Sequence, residues 1–404
     1  MTQTDSVVTA GSDRLAALFA EIGRGTLERE RTGERPFAAI DLIRQHRLGA
    51  LRVPAEDSGG GASLRELFSV VIRLAAVDVN VAHILRGHFA HVEERLRLGG
   101  QERRRVIDLA LSGAIVGNAS TELGSTTIGE FTWQTTLRAD GANFRLNGTK
   151  YFTTGTLYAD YAEVIAGAPD GSTVLALVPT DRTGVTVLDD WDGMGQRATG
   201  TGTAHFTDVE VRAEEVLRFA PPDVGSEPPP MYLSGAFFQL YVTALIVGVL
   251  HAVRADAVAH VHQRTRGFAW APAPVPADDP LLQREIGEIA AAAFAGEATV
   301  LAAADTLAAA FEADAAGCDP QLDLAHEASL QAAAAKVVVD ALGQKAAAQV
   351  FDVGGASVVR QAHLLDRHWR NIRTLASHNP TSYKAQAVGA YHVRGTRLPG
   401  SGYF

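Results

Sequence analysis

Between Ser12 and about Ser112, apolar side chains recur three and four positions apart in "DRLAALFAEIG", "LRELFSVVIRLAAV" and "VAHILRGHFAHVEERLRLG". That spacing lines one face of an α-helix, so a helical first region is predicted. The interruption "VPAEDSGGGAS" supplies Pro and Gly for a loop, and Ser63 stands where it can cap the helix opening at "LREL". The third segment is expected to be one helix carrying His83, His88 and His91.

From about Ala114 to Ala213 the period shortens to two. "TTLRADGANFRLNGTKYFTTG" predicts strands around a turn at Asp140 and Gly141, with a second tight turn at Asn147 and Gly148. "YAEVIAGA", "STVLALVPT" and "GTAHFTDVEV" continue the alternation. From about Pro229 helical spacing returns in alanine-rich stretches, "EIGEIAAAAFAGEATVLAAADTLAAAFEADA" and "HEASLQAAAAKVVVDALGQKAAAQVF", whose small side chains let helices approach closely. The Pro-rich piece "WAPAPVPADDP" separates two of these helices. The expected organisation is α+β: a helical domain over 1–113, a β-domain over 114–224 and a helical bundle over 225–404.

Composition narrows the function classes. With 404 residues, 47% of them apolar and 20% charged, the chain is globular and too long for one simple core. A net charge of -10 argues against a general binder of nucleic acid or anionic membrane, which rewards a basic surface. The longest apolar run, "GAFFQLYVTALIVGVLHAV", is interrupted by Gln239, Gly248 and His251 and is expected to be a buried helix, not a membrane span. The N-terminal "MTQTDSVVTAGSDR" lacks the order of a signal peptide, and the single Cys318 can form no intrachain disulfide or thiolate metal site. Both features suit a reducing, cytoplasmic compartment.

Five segments carry more specific information: "GNASTE", "NGTKYFTTG", "WDGMGQRATGTGTAHFTDVEV", "RTRGFAW" and "GGASVVRQAHLLDRHWRNIRT". Singly they are an ordinary turn, a hairpin, a core tryptophan and helix-surface charges. In this order along the whole chain they resemble the acyl-CoA dehydrogenase fold, with an N-terminal α-helical domain, a central β-barrel-like domain and a C-terminal four-helix bundle. The resemblance implies a flavin between β-domain and bundle, completed by a neighbouring subunit, and a homotetramer held through the bundle. A flavin needs flat apolar walls, hydrogen-bonding groups at its polar edge and cations for its phosphate. Carried onto this chain, Asn118, Ser120 and Thr121 would border the cofactor and Trp191 would wall the ring. Thr153 and Thr154 would donate hydroxyls to the N5 and C4 edge, Arg264 and Arg373 would neutralise the phosphate, and Ser382 would join the cofactor set.

Dehydrogenases of this fold place a carboxylate base soon after the last of those segments. Counting on from "RHWR" brings one to Ala376, and no Asp or Glu occurs between Asp366 and Phe404. A methyl group abstracts no proton, which speaks against ordinary dehydrogenation. In its place stands "HNPTSYK", similar to the "H-D-P-x-x-Y-K" ending of the flavin-dependent monooxygenases typified by dibenzothiophene monooxygenase and the sulfone-metabolism enzymes. That resemblance implies reduced FMN supplied by a separate flavin reductase, with O2 activated as a C4a-(hydro)peroxyflavin that oxygenates a sulfur, nitrogen or aromatic centre. FAD remains the alternative cofactor. No strand-linked G-x-G-x-x-G for a nicotinamide cofactor is present. By the same similarity His88 and His378 match the pocket histidines that manage protons near the distal oxygen, and Thr154 matches a hydroxyl residue beside flavin N5. Asn379 departs from the pattern's Asp and removes a charge beside His378. Two competing readings are an FAD dehydrogenase or oxidase with a relocated base, and a helical scaffold without cofactor.

Overall fold

The computed structural model describes residues 7–124, 133–218, 231–315 and 321–404. Cys318 and the expected boundary near residue 224 lie outside the described residues. The chain begins with seven helices: α1 (Asp13–Arg24), α2 (Thr26–Thr32), α3 (Phe37–Gln45), α4 (Leu64–Val77), α5 (Val79–Ile84), α6 (Arg86–Leu96) and α7 (Gly100–Ser112). Ser63 caps α4 as expected: its hydroxyl accepts from the Glu66 amide while the Glu66 carboxylate accepts from the Ser63 amide. The segment expected to be one helix is two. It breaks at Leu85, where the Tyr241 hydroxyl donates to the Ala82 carbonyl at 2.9 Å. His83 therefore sits on α5, and His88 and His91 on α6.

The β-domain runs through β1 (Val116–Ala119), β2 (Thr136–Asp140), β3 (Asn143–Lys150), β4 (Tyr161–Gly167), β5 (Thr173–Pro179), β6 (Val185–Val187), β7 (Ala204–Val211) and β8 (Val216–Arg218). The sheet order is β6-β7-β3-β2-β4-β5-β8, with β1 parallel to β4. Its inner face buries Leu137, Leu146, Val164, Val174, Val178 and Phe206. The turn at Gly141 is present, joining paired Asp140 and Asn143. The second turn expected at Asn147 and Gly148 is instead a bulge inside β3, where pairing with β7 slips between Leu146 and Gly148. Gly148 takes φ +153°, and a Cβ there would lie 2.4 Å from the Thr135 hydroxyl.

The C-terminal region comprises α8 (Tyr232–Gln263), α9 (Pro280–Ala315), α10 (Gln321–Gln349), α11 (Asp366–Ala376) and α12 (Thr381–Arg394). α8 is long and apolar enough to cross a membrane, yet most of it is buried against α4, α9 and α10, as the sequence led us to expect. Residues of α4, α5 and α6 share one hydrophobic core with α8, α9 and α10, so the first and last regions are a single packed body. The β-domain has its own core and meets this body along α5 and α6.

Candidate active site

One wall of the junction comes from the β-domain. β1 ends beside the turn after β3, so that Asn118, Thr153, Thr154 and Thr156 are neighbours: the Thr156 hydroxyl donates to the Asn118 carbonyl at 3.1 Å. Gly117 makes this approach feasible, since a Cβ there would stand 2.4 Å from Thr156 Cα, and Gly155 lets the same turn meet α5. Gly155 has φ +85°, and a Cβ there would stand 2.5 Å from the Ile84 carbonyl at the end of α5. Behind the threonines runs a chain of hydroxyls. Thr199 donates to the Gln196 carbonyl at 2.8 Å, and its oxygen lies 2.6 Å from that of Thr201, which lies 2.9 Å from that of Thr154. A hydroxyl has one proton, so Thr201 must donate to Thr199, and Thr154 to Thr201. Thr154 is left with lone pairs only. Thr153 likewise spends its proton on the Gly202 carbonyl at 2.9 Å. The expectation that these two threonines donate to a flavin edge is therefore reversed: both present acceptors. A donor is available at Asn118, whose side-chain carbonyl accepts from Ser120 at 2.7 Å and whose amide nitrogen has no hydrogen-bond partner among the described residues.

A second group of side chains comes from α5, α6, α8 and the junction of α11 with α12. His378 follows α11, and its Nε2 lies 3.1 Å from Nη1 of Arg86. A guanidinium only donates, so Nε2 accepts and the proton of His378 sits on Nδ1. His378 keeps solvent-reachable surface although protein crowds it, the combination expected of a side chain on a cleft wall. Desolvation, then the positive charge of Arg86, holds its pKa well below the usual histidine range. At neutral pH it is thus a neutral N–H donor, not an imidazolium.

His83 approaches from α5. Asn371 on α11 accepts both the Gln196 main-chain amide at 2.7 Å and the Gln196 side-chain amide at 3.1 Å. The Gln196 side-chain oxygen must then accept from His83 Nδ1, 2.9 Å away, and His83 Nε2 is a buried lone pair without a partner. Burial, reinforced by Arg86, pushes its pKa down to about 3. Gln196 holds φ +54° and Phe152 the same φ of +54°, left-handed conformations that cost energy for residues with a Cβ and cluster at functional sites.

His88 departs from its expected role. Its Nε2 lies 3.0 Å from the Gly49 carbonyl, and its Nδ1 accepts from the Val116 amide at 3.3 Å. Both nitrogens serve the main chain, and the ring is wholly buried, which pushes its pKa down to about 4. No nitrogen remains for a ligand, so the geometry makes it a strut between the first helical region and β1. His91 nearby is held neutral by burial and Arg95, and bonds Glu163 on β4 at 3.2 Å. His368 bonds Asp256 at 2.7 Å, a structural contact.

The remaining expected residues are more dispersed. Trp191 is half-buried, packs edge-on to Phe152 at 6.1 Å and donates to the Gly195 carbonyl. Thr121 is bridged to Tyr151 and hydrogen-bonded to Tyr403. Arg264, just past α8, donates to the Val353 carbonyl at 2.9 Å, Arg373 donates to Gln344 at 3.3 Å, and Ser382 is exposed on α12. None of these three makes a hydrogen bond or ion pair to the threonine wall among the described residues. Ala376 is buried, with its carbonyl accepting from Lys336, which is paired to Asp340 at 2.9 Å. Sequence reasoning missed Arg86, Gln196, Asn371, Thr199 and Thr201. Only Arg86 left a signal, a cation inside the apolar run "AHILRGHF".

A flavin fits this arrangement by donor set: acceptors at Thr153 and Thr154, an amide donor at Asn118 and an aromatic wall at Trp191. Two family descriptions match the chain, the acyl-CoA dehydrogenase middle domain over residues 118–209 and its C-terminal domain over 240–383. The chain is 30% identical to a dibenzothiophene monooxygenase of Mycolicibacterium goodii over 100% of both chains. It is 29% identical to a probable FMNH2-dependent monooxygenase, SfnC, of Pseudomonas putida, covering 96% of this chain and 95% of that one. Its fold superposes on FMN-bound TdsC from Paenibacillus sp. A11-2 with a TM-score of 0.87 and 28% identity, over 97% of this chain and 99% of that one.

Proposed function

This chain belongs to the flavin-dependent monooxygenases built on the acyl-CoA dehydrogenase fold, and we propose that it works as the oxygenase of a two-component system fed with reduced FMN by a separate reductase. The observation that carries the reading is the chemistry of the two walls. Where a dehydrogenase needs a carboxylate, buried Ala376 offers only a methyl and a carbonyl tied to Lys336. Where an oxygenase needs fixed hydrogen bonds and no loose proton, His378 offers a neutral Nδ1–H and Thr154 a fixed acceptor.

Reduced FMN, when bound, supplies two electrons to O2, so that one oxygen atom enters the substrate and the other leaves as water. The protein's part is to bind, orient and exclude water. Thr154 would accept from an N–H at the cofactor's polar edge, Asn118 would donate to a carbonyl there, and Trp191, with Phe152 edge-on to it, would wall the ring. His378 would donate from Nδ1 at the reacting centre. With Nε2 engaged by Arg86, it cannot turn that proton away. Arg264, Arg373 and Ser382 are assigned to the phosphate end, reached across a subunit contact. Exposed Leu281 and Phe294 on α9, with Phe268 and Trp270 before it, support a homotetramer by offering an apolar surface in the single chain. A soluble, cytoplasmic enzyme acting on a small organic molecule fits these features, and indole, found with FMN in a complex of TdsC, is a reasonable first probe.

Anaerobic protein with reduced FMN, mixed with O2 in a stopped-flow spectrometer, should pass through a transient spectrum distinct from reduced and oxidised FMN. Oxidation at the free-solution rate with no transient, or anaerobic bleaching of bound oxidised flavin by an acyl thioester, would overturn the reading.

A further inference from the structure

Arg86 is a buried guanidinium with no carboxylate paired to it among the described residues. It is 9% exposed, its plane lies over Phe238 at 4.9 Å from the ring centre, and its Nε has no partner. Its one hydrogen bond runs to a neutral ring, His378. Other arginines held inside this protein are paired: Arg29 with Asp78, Arg52 with Glu93, Arg95 with Glu163 and Arg367 with Asp256. Arg86 makes no ion pair among the described residues. Burial lowers its pKa to about 10, so it stays charged at neutral pH.

The groups around it do not supply the missing charge. Tyr241 and Tyr403 are neutral phenols held protonated by burial. His83 and His378 are neutral. Beyond His378 stand Lys336, answered by Asp340, and Lys384, whose amine rests on the Phe404 ring at 3.6 Å and whose pKa burial, then Lys336, lowers to about 7. A buried charge without a counter-charge is costly and is retained where a ligand completes it.

We propose that the organic substrate of this cleft carries an oxyanion, a carboxylate or sulfinate, that pairs with the Arg86 guanidinium. The unpartnered His83 Nε2 then accepts from a hydroxyl or N–H elsewhere on the same molecule. This rests on the monooxygenase reading for the meaning of substrate, and the charge preference is testable apart from it. Arg86 thereby acts in specificity: it selects for charge while leaving the reacting centre to the flavin side of the cleft.

The test is calorimetric titration, with and without oxidised FMN, using sodium benzoate, sodium benzenesulfinate and the neutral benzyl alcohol. At least one anion should bind tenfold or more tightly than benzyl alcohol. Arg86→Met should abolish that preference and Arg86→Lys should keep part of it, while the Kd for FMN moves less than threefold. Equal affinity for benzoate, benzenesulfinate and benzyl alcohol, or an anion preference that survives in Arg86→Met, sinks the proposal. Loss of reduced-FMN affinity in Arg86→Met with anion preference intact assigns the charge to the flavin itself and also sinks it. A wild-type protein that prefers the anions but binds no FMN removes the monooxygenase reading and leaves this one standing.

Discussion

The two walls of the cleft are built on opposite principles. On the β-domain side each of four threonine protons has a destination: Thr154 to Thr201, Thr201 to Thr199, Thr199 to the Gln196 carbonyl, Thr153 to the Gly202 carbonyl. On the helical side Arg86 Nε and His83 Nε2 are buried and unmatched. A closed network holds one shape at little cost, whereas unsatisfied polar atoms store a cost that a ligand removes. The sheet side therefore suits the invariant cofactor and the helical side the substrate. His88 and His378 show the same contrast within one residue type, since one ring is consumed by main chain and the other keeps a free Nδ1–H.

The sharpest way to break the comparison is to push the walls apart. Gly155→Ala places a Cβ 2.5 Å from the Ile84 carbonyl on a backbone at φ +85°. We expect a loss of about 3 kcal/mol or more in urea unfolding, together with loss of FMN affinity. Unchanged unfolding would mean that the turn after β3 and the end of α5 do not meet.

The contact behind the sheet wall has its own signature in acid. Burial alone would raise the Glu163 carboxyl, but Arg95 and then His91 pull it down to about 2. Arg95, which donates to Glu163 at 2.6 Å, is the larger of the two influences. A carboxyl depressed on folding stabilises the fold above its unfolded pKa and loses that contribution as pH falls through the folded value. Stability should therefore drop by roughly 2–3 kcal/mol between about pH 4.5 and pH 2. Glu163→Gln should flatten that part of the curve, and a mutant curve parallel to wild type would rule out the assignment.

The two histidines should separate cleanly. His88→Ala leaves the Gly49 carbonyl and Val116 amide unmatched and should cost about 2–4 kcal/mol of stability. The folded fraction should still couple oxygen use to product. His378→Ala should barely change stability yet raise hydrogen peroxide released per O2 consumed by tenfold or so. The reverse pattern would exchange their roles.

Much of this was legible before any coordinates. The periods of 3.6 and two marked out helices, sheet and helices again, because those elements bury one face each. The Ser63 cap was legible because its partner Glu66 is three residues away. The cleft was legible only through resemblance, and then incompletely. Thr154 could be picked out, but the direction of its proton depends on Thr199 and Thr201, some fifty residues on and adjacent only after β7 pairs with β3. His88 looked catalytic because a sequence does not show that Gly49 and Val116 claim both nitrogens. The helix break at Leu85 was hidden for the same reason: its cause, Tyr241, lies on α8.

The finest distinction left is the direction of that proton. In Thr201→Val the acceptor for the Thr154 hydroxyl disappears, so Thr154 becomes free to donate. The N5 edge of oxidised flavin accepts a hydrogen bond, and that of reduced flavin donates one. Wild-type protein should therefore favour reduced over oxidised FMN, and Thr201→Val should narrow the ratio of the two dissociation constants by about threefold to tenfold, the worth of one modest hydrogen bond. Thr201→Ser keeps an oxygen at the same place and should restore the wild-type ratio. An equal change in both affinities would show that Thr201 merely supports the loop; a change in the ratio alone, rescued by serine, would show that three threonines set which redox state the site prefers.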